Sequence, residues 1–96
     1  MAIDVACLTV GFLLVPDFAL MSYTAAIEPL RAANLLSEKT LYRWWHAAPS
    51  GEPVTASNGV AIIPDCGTRT ERGADIVFVC AGGNPATFDD RATFSW

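Results

Sequence analysis

Residues Val5 to Val15 form an apolar run, rich in β-branched residues and without alternation. That pattern predicts a central parallel strand covered on both faces. "PDFALMS" punctuates it, and Ser22 offers a side-chain oxygen as the N-cap of a helix from about Ser22 to Leu36. Within that span Tyr23, Ala26, Ile27, Leu30 and Ala33 recur at three- and four-residue spacing, which gives one apolar face. Pro29 lacks an N–H and crowds the carbonyl of Ala25, so a kink or restart is expected there.

Aromatic-rich "LYRWWHAAP" (41–49) predicts a second strand, with Trp44 and Trp45 on opposite faces and one of them in the core. "VTASNGVAII" predicts a hairpin with arms Val54–Ser57 and Val60–Ile63, turning through Asn58-Gly59 in a type I′ conformation. "DCGTRTERG" is polar and predicts a loop or one irregular turn. Ile76 to Cys80 predicts the second strand buried on both faces, followed by the loop "AGGNPATFDD" and a helix capped by Asp89 or Asp90.

The order strand, helix, strand, hairpin, strand, helix onset is that of an α/β protein with a mostly parallel sheet. Two strands buried on both faces need helices on two sides, and one complete helix is present. The expectation is therefore an incomplete covering layer, a bare side beside Val5–Val15, and a chain that is the N-terminal half of a larger domain. Composition agrees. Of the 96 residues, 52% are apolar, and mean hydropathy is +0.34. A chain this short buries only about 60–65% of its unfolded surface, too little interior for such a share.

Charge narrows the function. Net charge is −4, and Arg31, Lys39, Arg43, Arg69, Arg72 and Arg91 are scattered singly. With no basic stripe, direct nucleic-acid contact by this segment is not expected. Cys7, Cys66 and Cys80 form no C-x-x-C pair, which suits reduced thiols and a cytoplasmic setting. The eleven-residue run is short of the roughly 20 residues that cross a bilayer, so no membrane association is expected. Asp4 stands where a signal peptide needs positive charge.

Candidate chemistry is sparse. Gly82-Gly83-Asn84 follows a parallel strand, where backbone N–H groups approach ligands; the bland alternative is a strand-to-helix turn. It matches neither G-x-G-x-x-G nor a phosphate-binding loop, and no cofactor is implied. Glu28 precedes Pro29 on the helix after the first strand, and its bland role is an exposed ion pair with Arg31. Cys80 has no neighbouring cation in sequence and reads as packing. His46, the only histidine, has no visible partners for a dyad or a metal site and reads as an ordinary strand residue.

At "GFLLVPDFALMSYTAAIEPLRAANLL", "LYRWWHAAPSGEPVTASNGVAIIPD" and "ADIVFVCAGG" the chain resembles a known group. It is similar to the N-terminal, class I glutamine amidotransferase-like (PfpI-type) sensor domain of AraC-type (GlxA-like) transcriptional regulators, over nearly all 96 residues. The resemblance implies a flavodoxin-like three-layer sandwich, present here as its N-terminal half plus a β-hairpin, so that residues 1–96 are one incomplete domain. It implies a module that binds a small-molecule effector, an amino-acid or amine metabolite, and that self-associates, with the helix-turn-helix part elsewhere. By the resemblance, Gly82-Gly83 matches the loop that shapes the pocket; with Asn84 of the same strand-end loop, Glu28, Gly82 and Gly83 are the expected ligand-binding residues. Glu28 matches the glutamate that supports an elbow cysteine in the superfamily's enzymes. That cysteine would lie beyond Trp96, and Cys80 is one strand too early to be it. The implied function is non-enzymatic sensing. The alternative is a fragment of a PfpI- or glyoxalase-like cysteine enzyme.

Overall fold

The structure is a computed structural model that describes residues 7–68 and 72–82. Its elements are β1 (Leu8–Leu14), α1 (Leu20–Ser37), β2 (Tyr42–Ala48), β3 (Val54–Thr55), β4 (Ala61–Ile62), β5 (Cys66–Gly67) and β6 (Ile76–Cys80). Four strands form an all-parallel sheet in the order β5-β2-β1-β6, and β3 and β4 form a separate antiparallel pair. The α/β reading of the sequence holds. The expected helix onset after Gly83, with its Asp89 or Asp90 cap, lies outside the described residues.

β1 is central, with β2 on one side and β6 on the other. Period-two alternation sends Val10, Phe12 and Leu14 to one face, where Phe18, Ala48, Val54, Ala56 and Cys80 complete a buried cluster. Tyr23, Ala26, Ile27 and Leu30 of α1 pack on that cluster, as the helical spacing predicts, while Ala33 is only half-buried. On the opposite face Leu13, Trp45 and Ala47 cluster. Trp45 reaches there because position 11 is glycine: a Cβ on Gly11 would stand 2.6 Å from the indole. Trp45 is the tryptophan in the core, and Trp44 packs partly buried on the other face.

Several expectations change. The bare side is not beside β1, whose residues from Val10 to Leu14 are buried by the chain's own atoms. It is at β6, expected to be covered on both faces, where Ile76, Val77, Phe78 and Val79 remain 38% to 63% exposed. The reason is position. β6 is the sheet's edge among the described residues, and only its last residue, Cys80, joins the buried cluster on which α1 packs.

The helix begins earlier than predicted. Its N-cap is Ala19, in extended conformation and without a side-chain cap, so Ser22 is not the cap. The first turn closes through Tyr23 N–H to Ala19 O, while the Ala19 N–H bonds Ala81 O. The helix also runs through Pro29 unbroken. Both Pro29 and Ala25 are exposed, so the carbonyl that loses its helical donor faces water, which limits the penalty.

The hairpin exists with shorter arms and a different turn. Gly59 has positive φ and Asn58 does not, so the turn is not type I′. Gly59 N–H bonds Ala56 O, Ala56 N–H bonds Val60 O, and the Asn58 carboxamide accepts from Val60 N–H. This is a three-residue loop ending in a left-handed glycine. Where a polar loop was expected, β5 adds two residues to the sheet beside β2. Pairing with Ala47 and Ala48 is what makes so short and polar a stretch a strand.

Candidate functional site

In a parallel sheet the loops after the strands gather at the carboxyl edge. The connection from β1 through α1 leads to β2 on one side, and the later connection crosses to β6 on the other. Reversal of strand order around β1 is a topological switch point, and open α/β sheets bind ligands in the crevice outside the carboxyl ends there. The loop 15–19 and residues 81–82 meet at this point. Val15 N–H bonds Cys80 O, and Ala19 N–H bonds Ala81 O.

Gly82 is held by that meeting. A Cβ there would lie 2.8 Å from the Ala19 nitrogen and 3.1 Å from the Asp17 carbonyl. Its glycine identity is thus required by the close passage of two backbones. Asp17 takes a left-handed conformation, with φ 65°. Its N–H bonds Thr55 O, and Ser57 N–H bonds Phe18 O, so the hairpin is strapped across the end of β1. Between the ends of β1 and β2 lies a cleft of about 300 Å³, lined by Pro16, Asp17, Pro49, Glu52, Pro53 and Thr55 among others. Neither Glu28 nor Gly82 lines it.

Glu28 lies on an exposed part of α1, its carboxylate 2.6 Å from the Arg31 Nε. This is the bland pairing that the i, i+3 spacing allows. Gly83 and Asn84 lie outside the described residues. Of the four predicted ligand-binding residues, the structure therefore places Gly82 at the switch point and Glu28 on the helix in an ion pair.

A polar chain that sequence reading did not identify runs beneath α1. The Tyr23 hydroxyl is 2.8 Å from His46 Nε2. The Asp65 carboxylate accepts the His46 backbone N–H at 2.7 Å and lies 3.8 Å from His46 Nδ1. Asp65 N–H returns a bond to His46 O. The His46 ring stacks on Phe12 at 5.5 Å, and Tyr23 meets Phe12 and Phe18 edge-on. Burial holds the imidazole below its ordinary pKa, against a smaller upward pull from Asp65. Burial raises Tyr23, helped by Cys80 and Glu28, and burial also raises Cys80. A buried thiol pushed up in this way is protonated and unreactive, in keeping with the packing role read from its sequence. Tyr23 and His46 are 23 residues apart, so no spacing rule pairs them. The signal available was a lone strand histidine and a tyrosine on the apolar face of the helix. Among the described residues no group of three His, Cys, Asp or Glu is placed to hold a metal.

No protein-family profile matches the chain. Curated relatives do. The chain is 48% identical over 85 residues to the HTH-type transcriptional regulator GlxA of Rhizobium meliloti, covering 86% of this chain and 26% of that protein. It is 47% identical over 74 residues to the HTH-type transcriptional regulator GbdR of Pseudomonas aeruginosa, covering 77% of this chain and 20% of that one. The chain thus spans about a fifth to a quarter of these relatives' length. Among solved structures, an AraC family transcriptional regulator from Pseudomonas putida superposes with a TM-score of 0.72 at 23% identity, over 92% of this chain and 57% of that one. A DJ-1 superfamily protein from Agrobacterium tumefaciens does so with a TM-score of 0.57 at 26% identity, over 78% and 38%.

Proposed function

Because this chain belongs by sequence with the AraC/GlxA-type regulators and by fold with the flavodoxin-like DJ-1/PfpI proteins, we propose that it is part of a regulator's effector-sensing domain. The observation that carries the reading is the extent of the match. It runs over most of these 96 residues and a minor part of each relative. On this reading residues 1–96 are the N-terminal part of one domain whose remaining strands and helices cover β6. DNA contact falls to other residues of the regulator, consistent with the scattered cations and net charge of −4. The setting is cytoplasmic, and no described helix is long and apolar enough to cross a membrane.

The effector is a small molecule, an amino-acid or amine metabolite, bound at the carboxyl edge near Glu28 and residues 82–84. Binding shifts a dimer equilibrium, which requires a different affinity for the two states. The module is not an enzyme in this reading. Its buried cysteine, Cys80, is held protonated, and the regulators it matches give no reason to seek a nucleophile among these residues. The test is a reporter gene under the full-length regulator with Glu28→Gln. A weakened response to effector with DNA binding intact supports the site. Unchanged induction removes Glu28 from it, and hydrolytic turnover by the chain alone contradicts the non-enzymatic reading.

A further inference from the structure

Tyr23, His46 and Asp65 come from α1, β2 and the loop before β5. Their contacts form one line: hydroxyl to Nε2 at 2.8 Å, then Nδ1 to carboxylate at 3.8 Å. A neutral imidazole has one N–H, and the other ring nitrogen accepts. The carboxylate beside Nδ1 favours the proton there. Nε2 is then the acceptor, and the Tyr23 hydroxyl donates to it. We propose that this line is a proton-operated latch that seats the first half of α1 on β2, so that acid loosens the helix over the carboxyl edge of the sheet.

Asn34 secures the other half of the helix. Its carboxamide accepts from Leu41 N–H and Tyr42 N–H and donates to Tyr42 O. That link has no titrating group. The Tyr23 link does. Protonation of His46 puts hydrogen on both ring nitrogens, so Nε2 no longer accepts. The Tyr23 hydroxyl must then turn to accept, and its own proton loses its partner in a half-buried site. The groups that bear on the latch are Asp65 beside the ring, Glu28 and Cys80 acting on Tyr23, and Cys66, whose thiol lies 4.0 Å from His46 O. Only Asp65 favours the charged ring, and it is half exposed. The folded-state value is lowered, so this contribution is complete above the unfolded value of about 6.5 and fades as pH falls below it toward the folded value.

His46 is the only histidine of the chain, so a nitrogen-15 spectrum of labelled histidine reports a single ring. The latch requires the tautomer with hydrogen on Nδ1 and a bare Nε2 at neutral pH. Amide exchange in the first half of α1, corrected for its intrinsic pH dependence, should lose protection roughly fivefold as His46 titrates, the fold-change of one net hydrogen bond. Amides near Asn34 should not follow. Tyr23→Phe keeps the ring against Phe12 and Phe18 and should abolish the pH response. Asp65→Asn should move the His46 titration further down. Hydrogen found on Nε2, α1 protection indifferent to the titration, an equal response in Tyr23→Phe, or an unmoved titration in Asp65→Asn each overturns the latch.

Discussion

β1 and β6 are neighbours in one sheet, paired in register from Val10↔Ile76 to Leu14↔Cys80. Both are apolar runs, and as sequence they look alike. β1 is buried from Val10 onward, whereas β6 is exposed along all but its last residue. The difference comes from what lies beside and above each strand. β1 has a strand on both sides, α1 on one face and the Trp45 indole on the other. β6 has a strand on one side among the described residues, and only its last residue, Cys80, joins the buried cluster on which α1 packs. An apolar strand tells that cover is required; it does not tell where the cover comes from. In β1 the chain supplies it. In β6 we propose that further residues of a longer polypeptide do.

Substitutions on matching rungs sharpen that contrast. Phe12 is fully buried and Phe78 stacks on it at 5.6 Å from the exposed strand. Phe12→Ala should cost about 3–5 kcal/mol in chemical denaturation. Phe78→Ala should cost about 1–2 kcal/mol in the 96-residue chain, because more than a third of the residue, 38%, is already in water. Equal losses at the two positions would deny that β6 is bare. Gly11→Val should cost about 1–3 kcal/mol by driving the indole off its seat, while Val77→Ala on the same rung should cost less than about 1 kcal/mol. Trp45→Phe keeps most of the apolar cover and removes the indole N–H bond to Gly73 O at 3.1 Å, for about 1 kcal/mol. Arg31→Ala should change stability by less than about 0.5 kcal/mol, since its partner Glu28 is half exposed. A larger effect would mean that this ion pair does more than sit on the surface.

Much of the fold was legible in the sequence, for local reasons. The bounds of β6 follow from Asp75 and the apolar run after it, and the face of α1 follows from three- and four-residue spacing. The helix start was misread because Ser22 is a good cap by chemistry, whereas Ala19 is fixed by a bond to Ala81, 62 residues away. The turn at Asn58-Gly59 was misread because the same dipeptide serves two loop lengths. Least legible was the candidate site. Gly82 could be placed at a strand end from sequence, but its need for a bare Cα comes from Asp17 and Ala19 across the sheet edge. His46 gained its partners only when the fold set Tyr23 of α1 and Asp65 of the loop before β5 against β2.

Hydrogen exchange along β6 tests the central claim most directly. In the 96-residue chain, the amides of Ile76 to Cys80 that point away from β1 should exchange far faster than those of β1. In a full-length regulator of the proposed kind they should become protected, as the further residues proposed to cover β6 pair with that edge. Outward amides of β6 that are as slow as β1 in the short chain, or still fast in the long one, would contradict it.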